Sequence, residues 1–193
     1  VFETEADKRK SEMTFTETKV KGAYLIDIKK ISDDRGFFGR SYCKKEFERL
    51  GINNQVVQVN TSSNNKKATL RGLHMQVAPA EETKLVRCTR GSIFDVLVDM
   101  RPESETFLQW FGVVLNSREF NMLYIPEGCA HGYLTLEDDT DVMYQVSEYY
   151  TPQAERGFRW NDPTFNISWP IEPLVISAKD VAQPFFHPEL LQL

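Results

Sequence analysis

The sequence has few of the features of disulfide-bonded, membrane or nucleic-acid-binding proteins. Its three cysteines, Cys43, Cys88 and Cys129, are an odd number with no C-x-x-C spacing, which argues against a disulfide framework or a zinc site and indicates a reducing compartment. No segment approaches the roughly 18 apolar residues of a membrane-spanning helix, and residues 1–11 lack the apolar stretch of a secretory signal. The net charge of −5 disfavours a nucleic-acid partner. We therefore expect a cytoplasmic protein that binds neither membranes nor nucleic acid.

Histidine is also scarce, and its distribution is informative. The chain has His74, His131 and His187 only. His74 lies in the segment RGLHMQ, residues 71–76, and His131 follows the turn-like segment IPEGCA, residues 125–130. Histidines in two strand-like segments that also contain cationic residues indicate a functional site, because imidazole transfers protons near neutral pH.

The remaining composition favours one all-β domain. With 193 residues, 41% hydrophobic and 12% aromatic, the chain can form a sizeable core with a ring-lined interior. Strand-like segments recur about every 8–12 residues, which is typical of a sandwich or barrel; they are residues 23–28, 55–60, 69–76, 84–89, 92–100, 110–115, 120–125, 132–136 and 142–150. A jelly-roll barrel would leave a lumen for one small ligand.

Other segments flank this predicted barrel. Residues 44–50 predict a short helix that ends at Gly51. The Pro-rich tail from residue 152 is expected to be irregular and to pack on the barrel through its aromatic rings. Residues 1–14 are expected to be a flexible leader or a cloning remnant, with Met13 as a candidate natural start, and residues 15–193 a single domain.

The strand that contains His74 predicts which side chains share a face. Alternation places His74 and Gln76 on one face, whereas Arg71 lies on the other face unless a bulge or a bend at Gly72 redirects it. His74 and Gln76 would then line the lumen together. A structural histidine with its hydrogen bonds satisfied is the alternative interpretation.

Three further residues each allow a structural and a functional interpretation. Lys84, at the start of a strand, is either a solvated strand-end lysine or a cation that stabilises a developing negative charge. Tyr144 is either an ordinary barrel tyrosine or a proton donor that faces a base. Asp180 is either a surface turn residue or the carboxylate that orients an imidazolium.

A metal site is not favoured by the pattern. Residues 126–131 match half of the second metal motif of cupin jelly rolls, P-x-G-x-x-H. The first motif would need His-x-His and a nearby Glu, but this chain has His74, Met75 and Gln76 there. Two histidines without a correctly spaced thiolate or carboxylate make a poor site. We therefore predict no metal and no cofactor, with a metal-dependent cupin as the minor alternative.

Taken in order, these segments resemble the dTDP-4-dehydrorhamnose 3,5-epimerase family, the cupin-fold nucleotide-sugar epimerases. The resemblance covers residues 24–186 and implies a cupin-type jelly roll. It depends on many ordered matches rather than on one motif: DRGFF (34–38), QVN (58–60), RGLHMQ (71–76), KLVR (84–87), DVLVD (95–99), IPEGCAHG (125–132), WNDP (160–163), WP (169–170) and SAKD (177–180).

The resemblance implies a reaction and a set of roles. The family inverts C3 and C5 of a nucleotide-linked 4-keto-6-deoxyhexose through an enolate. By motif match, His74 is the base, Asp180 supports it, Lys84 stabilises the enolate oxygen and Tyr144 donates the proton. The matching substrate-binding positions, with His131 near the keto centre, are Arg35, Gln58, Asn60, Arg71, His131, Glu155 and Lys179.

The family also implies a homodimer in which N-terminal strands cross to the partner, so that the Arg35 segment completes the neighbouring site. One position departs from the family pattern: R-G-F-F-x-E reads RGFFGR here, so that Arg40 replaces a substrate-contacting Glu. We therefore include Arg40 among the substrate-binding residues and expect altered nucleotide specificity, for example for cytidine.

The leading hypothesis is an epimerase that converts dTDP-4-dehydro-6-deoxy-D-glucose to dTDP-4-dehydro-L-rhamnose. One alternative is a single-centre 3- or 5-epimerase that acts on another nucleotide-linked 4-keto-deoxysugar, such as a CDP-sugar. A second is a non-catalytic sugar-nucleotide-binding cupin. The joint presence of His74, Lys84, Tyr144 and Asp180 argues against that binder, because a binder needs no acid–base pair.

Overall fold

The computed structural model describes residues 12–52 and 55–192. Its regular structure is mainly short strands, nearly all of them paired antiparallel, as the alternating pattern predicts. In chain order they are β1 (Thr14–Glu17), β2 (Tyr24–Asp27), β3 (Ile31–Asp33), β4 (Gly36–Phe38), β5 (Gln58–Asn64), β6 (Thr69–Gln76), β7 (Lys84–Arg90), β8 (Ser92–Asp99), β9 (Trp110–Asn116), β10 (Met122–Ile125), β11 (Cys129–Thr135), β12 (Thr140–Val146), β13 (Glu155–Gly157) and β14 (Val175–Ile176).

Two sheets form the barrel. The first has the strand order β1-β2-β10-β7-β12-β5, and the second has the order β13-β6-β11-β8-β9 with β14 beside β6. Strands β3 and β4 form a separate hairpin. The two sheets face each other across an interior that is apolar over one part, where Val86, Ile93, Leu97, Leu115 and Leu123 are completely buried. This jelly roll confirms the predicted all-β cupin-type fold.

Flanking segments cover the outer faces of both sheets. Helix α1 (Lys44–Glu48) inserts Phe47 against the outer face of the first sheet, where its ring contacts Phe15 and Tyr124 edge-on. The C-terminal tail covers the outer face of the second sheet with a cluster of rings that includes Phe158 and Phe165. Aromatic rings bury large apolar areas, which explains how segments with little regular structure hold the barrel together.

The tail contains more regular structure than the sequence predicted. It contributes β13 and β14, both paired to β6, then helix α2 (Ala178–Val181) and a 3-10 helix (Pro188–Leu191). Strands β13 and β14 are only three and two residues long, so their conformation comes from pairing with β6 rather than from a sequence pattern. The strands of the β3–β4 hairpin were likewise absent from the predicted strands. None of the helices in the described ranges is long and apolar enough to cross a membrane.

The first described residues are attached to the barrel. Strand β1 starts at Thr14, and Met13 is buried, with its backbone N–H donating to Glu46 Oε2 at 2.8 Å. Residues 1–11, most of the predicted leader, lie outside the described residues. The division into a leader and one domain therefore stays a prediction.

Candidate active site

A cavity of about 750 Å³ lies between the two sheets. It is lined by ten of the twelve predicted site residues: His74, Tyr144, Asp180, Lys84, Gln58, Asn60, Arg71, His131, Glu155 and Lys179. The first sheet contributes Lys84 from β7 and Tyr144 from β12, and the second contributes His74 from β6 and His131 from β11. The candidate base and the candidate acid therefore belong to opposite walls.

His74 forms a close pair with Asp180. The distance from His74 Nε2 to Asp180 Oδ1 is 2.6 Å. Asp180 belongs to the short helix α2, where its backbone N–H donates to Ser177 Oγ at 3.0 Å, and β14 attaches this helix to the start of β6. Short-range capping and pairing thus place the carboxylate beside the imidazole.

The electrostatics of this pair define the protonation of the ring. Burial alone would raise the pKa of Asp180, but hydrogen bonds from His74, Ser177 and the backbone of Gly72 keep that pKa below its usual value. An ionised carboxylate can only accept, so His74 Nε2 carries the hydrogen. The Nδ1 atom of the neutral ring is then unprotonated and can act as a base. The His74 side chain is 34% exposed, so solvent and ligand can reach it.

A bulge in β6 brings Arg71 to the same face as His74. His131 pairs with His74 and Tyr133 pairs with Arg71, so two residues of β6, Gly72 and Leu73, oppose the single Gly132 of β11. Gly72 sits within the bulge at a φ of +124°, and a Cβ there would lie 2.5 Å from the Cα of Gly132. Only glycine allows this approach, and the redirection of Arg71 that the sequence left open is present.

His131 forms the second histidine–carboxylate pair of the cavity. Its Nε2 lies 2.8 Å from Asp95 Oδ1 in the adjacent strand β8. Asp95 is completely buried, and this burial raises its pKa against the opposing effect of His131. The His131 side chain is only 9% exposed. Its ring is therefore fixed at the cavity wall, and it reaches a ligand over a small area.

Lys84 and Tyr144 occupy the opposite wall. Lys84 is buried, and its Nζ is paired with the carboxylate of Glu82, so it is not a solvated strand-end lysine. Burial, together with the neighbouring Tyr133 and Glu82, raises the pKa of Tyr144. A raised pKa keeps this phenol protonated at neutral pH, which is the form a proton donor needs.

The cavity mouth carries a network between the tail and the barrel. Lys179 Nζ donates to both carboxylate oxygens of Glu155, at 2.7 and 2.8 Å, and Tyr150 Oη donates to Glu155 at 2.9 Å. The Tyr150 backbone N–H donates to Gln58 Oε1 at 3.0 Å. Glu155, Lys179 and Gln58, which were predicted as substrate contacts, are therefore linked to one another at the entrance.

Arg35 and Arg40 do not line this cavity. Arg35 lies in the turn of the β3–β4 hairpin, where its exposed side chain pairs with Asp33. Arg40 donates to Glu46 Oε1 at 3.0 Å, on the outer face of the first sheet. In this chain the Arg40 guanidinium is bound to a carboxylate outside the barrel, and its contact with substrate stays a prediction.

Two carboxylates that bind side chains of the cavity, Asp95 and Glu82, were missed from the sequence. Asp95 was quoted only as part of a motif, although an acidic residue with apolar neighbours on both sides in β8 is a signal of a buried partner. Glu82 gave no such signal, because it lies in a polar loop. Gln76 does line the cavity, but its amide is bound to the backbone of Ala80 and Tyr149.

Within residues 12–52 and 55–192, no group of three or more histidine, cysteine or acidic side chains is arranged to hold a metal ion. Fold and cavity together define the class of the protein: a cupin-type jelly roll with a cavity between its two sheets that is lined by histidine, lysine and tyrosine side chains.

Comparisons with known proteins agree with this class. The sequence profile of dTDP-4-dehydrorhamnose 3,5-epimerase matches residues 17–188. The enzyme of that name from Salmonella typhimurium is 42% identical over 181 residues, 93% of this chain and 98% of the relative. The Bacillus anthracis structure, solved with TDP and pyrophosphate, superposes with a TM-score of 0.87 at 42% identity, covering 91% of this chain and all of the other.

A third relative was solved with a sugar nucleotide. The Legionella pneumophila 3,5-epimerase in complex with dTDP-4-keto-L-rhamnose has a TM-score of 0.86 and 38% identity, over 93% of this chain and 97% of the other. The chain therefore belongs to the dTDP-4-dehydrorhamnose 3,5-epimerase family, which confirms the resemblance found in its motifs.

Proposed function

We propose that the protein inverts C3 and C5 of dTDP-4-dehydro-6-deoxy-D-glucose to give dTDP-4-dehydro-L-rhamnose. The observation that supports this most is the placement of the His74–Asp180 pair and Tyr144 on opposite walls of one cavity, with Lys84 beside Tyr144. Inversion needs a proton removed from one face of a carbon and returned to the other. The second sheet provides a base wall with His74, and the first sheet provides an acid wall with Tyr144 and Lys84.

Each residue has a defined step in this proposal. The hydrogens on C3 and C5 are acidic because both carbons adjoin the C4 carbonyl. His74 Nδ1 takes one such proton, the electron pair of the C–H bond forms a double bond to C4, the C4=O π pair moves onto oxygen, and the Lys84 ammonium stabilises that enolate. Tyr144 then donates its phenolic proton to the opposite face of the carbon. The imidazolium and the phenolate return to their starting forms by proton exchange with solvent.

The mouth of the cavity would hold the nucleotide part. Arg71, whose Nε donates to Asn64 Oδ1 at 2.8 Å, directs a guanidinium into the cavity, and Lys179 lies at the entrance. Guanidinium and ammonium groups suit a diphosphate. Gln58 and Asn60 would contribute amide contacts.

The direct test is proton NMR of dTDP-4-dehydro-6-deoxy-D-glucose incubated with the enzyme in deuterated water. We expect enzyme-dependent deuterium at both C3 and C5. Deuterium at one carbon only would identify a single-centre epimerase, an activity named for a solved 3′-monoepimerase of the same fold from Streptomyces bikiniensis with a TM-score of 0.80. Exchange in the CDP-linked sugar alone would identify a different nucleotide, and no exchange in either would support a binding module.

A second part of the proposal concerns assembly. We propose that the protein is a homodimer in which the β3–β4 hairpin of one chain completes the cavity of the other. The hairpin supports this because it exposes apolar side chains, with Phe38 64% and Ile31 42% exposed, beside the Arg35 guanidinium. Such residues are typical of a surface that is covered by a partner.

Mixing two inactive variants tests the shared site. We expect a His74→Asn and an Arg35→Ala variant to be weak alone, and an equal mixture to recover about a quarter of wild-type activity, because random pairing leaves one intact site in half of the dimers. Activity of the mixture equal to the average of the two separate variants would contradict a shared site.

A further inference from the structure

Glu82 is the carboxylate nearest to the proposed acid wall, and no step of the reaction above uses it. It lies in the loop between β6 and β7, lines the cavity, and has a side chain only 14% exposed. Its Oε1 atom is paired with Lys84 Nζ. Glu81, the neighbouring carboxylate, instead lines a separate cavity with Glu127 and Arg101.

We propose that Glu82 is a positioning residue for the reaction, which holds the Lys84 ammonium in the cavity until the developing enolate oxygen replaces it as the partner. This inference rests on the proposed function, because it assigns Glu82 to the same reaction. It goes beyond that function by adding a residue that neither the motifs nor the predicted roles contain.

Burial of Lys84 is the first argument. A lysine whose side chain is 9% exposed needs a nearby negative charge to stay protonated, since burial by itself favours the neutral amine. Glu82 supplies that charge in the free enzyme. When the substrate carbonyl becomes an enolate, its oxygen carries the same charge and can take over the ammonium, so the cation is already in place when it is needed.

The position of Tyr144 is the second argument. The negative charge of Glu82 acts on Tyr144 as well, and together with burial and Tyr133 it raises the pKa of this phenol, whereas Arg71 opposes it. One carboxylate therefore lies beside both groups of the acid wall: it is paired with the Lys84 ammonium, and it contributes to the raised pKa of Tyr144. Other titratable groups around Lys84 and Tyr144 are Cys129, His131 and Tyr133 from β11 and Arg71 and His74 from β6.

The test is the alkaline limb of the pH–kcat profile in Glu82→Gln. Removing the charge takes away the partner of the Lys84 ammonium and one of the causes that raise the pKa of Tyr144, so we expect the limb to move to lower pH by about one unit or more. Glu82→Asp keeps the charge and should leave the limb near its wild-type position. Glu81→Gln is the matched control, because it removes the neighbouring carboxylate outside the cavity, and its profile should equal that of the wild type.

A second readout does not depend on turnover. The acetylation rate of Lys84 by acetic anhydride, followed by peptide mass spectrometry from about pH 6 to about pH 11, reports the titration of its amine. We expect Glu82→Gln to move this titration to lower pH. If the wild type lacks epimerase activity, the proposed function fails while the Lys84 titration still tests the pair. If the wild type is active and neither readout moves in Glu82→Gln, the role of Glu82 is overturned.

Discussion

Two histidine–carboxylate pairs lie next to each other in the second sheet, and they differ mainly in their access to the cavity. His74 and His131 are register partners on β6 and β11. The His74 side chain is 34% exposed and its carboxylate lies on a short helix of the tail, whereas His131 is 9% exposed and its carboxylate lies within the barrel. The same pair of groups is therefore suited to proton transfer in one place and to fixed contact in the other.

The partner carboxylates show the same division. The pKa of Asp180 is lowered, because the bonds from His74, Ser177 and Gly72 outweigh burial, whereas the pKa of Asp95 is raised, because complete burial outweighs its bond with His131. An ionised partner supports an imidazole that must become an imidazolium. From this comparison we expect a base at His74 and not at His131.

The largest effect should come from His74→Asn. Without the base, we expect kcat to fall by about 10³-fold or more, because general-base catalysis typically contributes 10²–10⁴. Conversion of the sugar nucleotide measured by proton NMR gives kcat, and circular dichroism checks that the fold is kept. His187→Asn is the control, because His187 is exposed and pairs with Glu189 away from the cavity. Near-normal turnover in His74→Asn would remove the proposed base.

Tyr144→Phe tests the opposite wall. We expect epimerisation to fall by about 10²-fold, while exchange of substrate protons with deuterated water falls much less, because the base wall is intact. Tyr149→Phe serves as the control, since Tyr149 is 62% exposed and does not line the cavity. Equal losses of epimerisation and exchange would show that Tyr144 does not act only in reprotonation.

His131→Asn should have a smaller effect on rate and a clearer one on stability. We expect kcat/KM to fall by about 10-fold, the value of one lost hydrogen bond. The variant should also lose about 1–3 kcal/mol of unfolding free energy, because Asp95 stays buried without its imidazole partner. Steady-state kinetics and urea unfolding measure these two effects. A loss of kcat as large as that of His74→Asn would contradict the claim that only the His74–Asp180 pair acts as the base.

The smallest expected effect is on stability: Asp180 and Asp95 should change the pH dependence of the free energy of unfolding in opposite directions. The stabilisation by Asp180, whose folded pKa is lowered, is present above about pH 3.9 and is lost as the pH falls through that folded pKa. Asp95, whose folded pKa is raised, destabilises the fold as the pH rises from about 3.9 through its folded value. As the pH rises, the free energy of unfolding of the wild type should therefore increase relative to that of Asp180→Asn and decrease relative to that of Asp95→Asn.

Urea unfolding of the wild type and both variants from about pH 3 to about pH 8 measures these slopes. Slopes of the same sign for Asp180→Asn and Asp95→Asn would contradict the assigned environments.

Much of the fold followed from local patterns, whereas the site depended on tertiary contacts. Alternation and turn residues predicted the long barrel strands, and β6 was predicted with its observed bounds. The strands β13 and β14 were missed, because segments of two or three residues take their conformation from the strand they pair with. Helix α2 was missed because four residues are too few to show a helical pattern.

The site residues show the same limit. Motif positions predicted His74, Lys84, Tyr144 and Asp180, and all four line the cavity. The face of Arg71 could not be predicted, because it depends on a bulge that needs Gly72 to approach Gly132. The pairing of Glu82 with Lys84 was equally invisible, since a polar loop sequence gives no sign that its carboxylate is buried.

The measurement that tests the central claim most directly is the initial rate of deuterium incorporation from solvent into dTDP-4-dehydro-6-deoxy-D-glucose by His74→Asn and by His131→Asn. If the exposed pair is the base, His74→Asn incorporates no enzyme-dependent deuterium at C3 or C5, while His131→Asn incorporates it at both carbons at a reduced rate. Incorporation by His74→Asn together with none by His131→Asn would contradict the assignment and place the base in the buried pair.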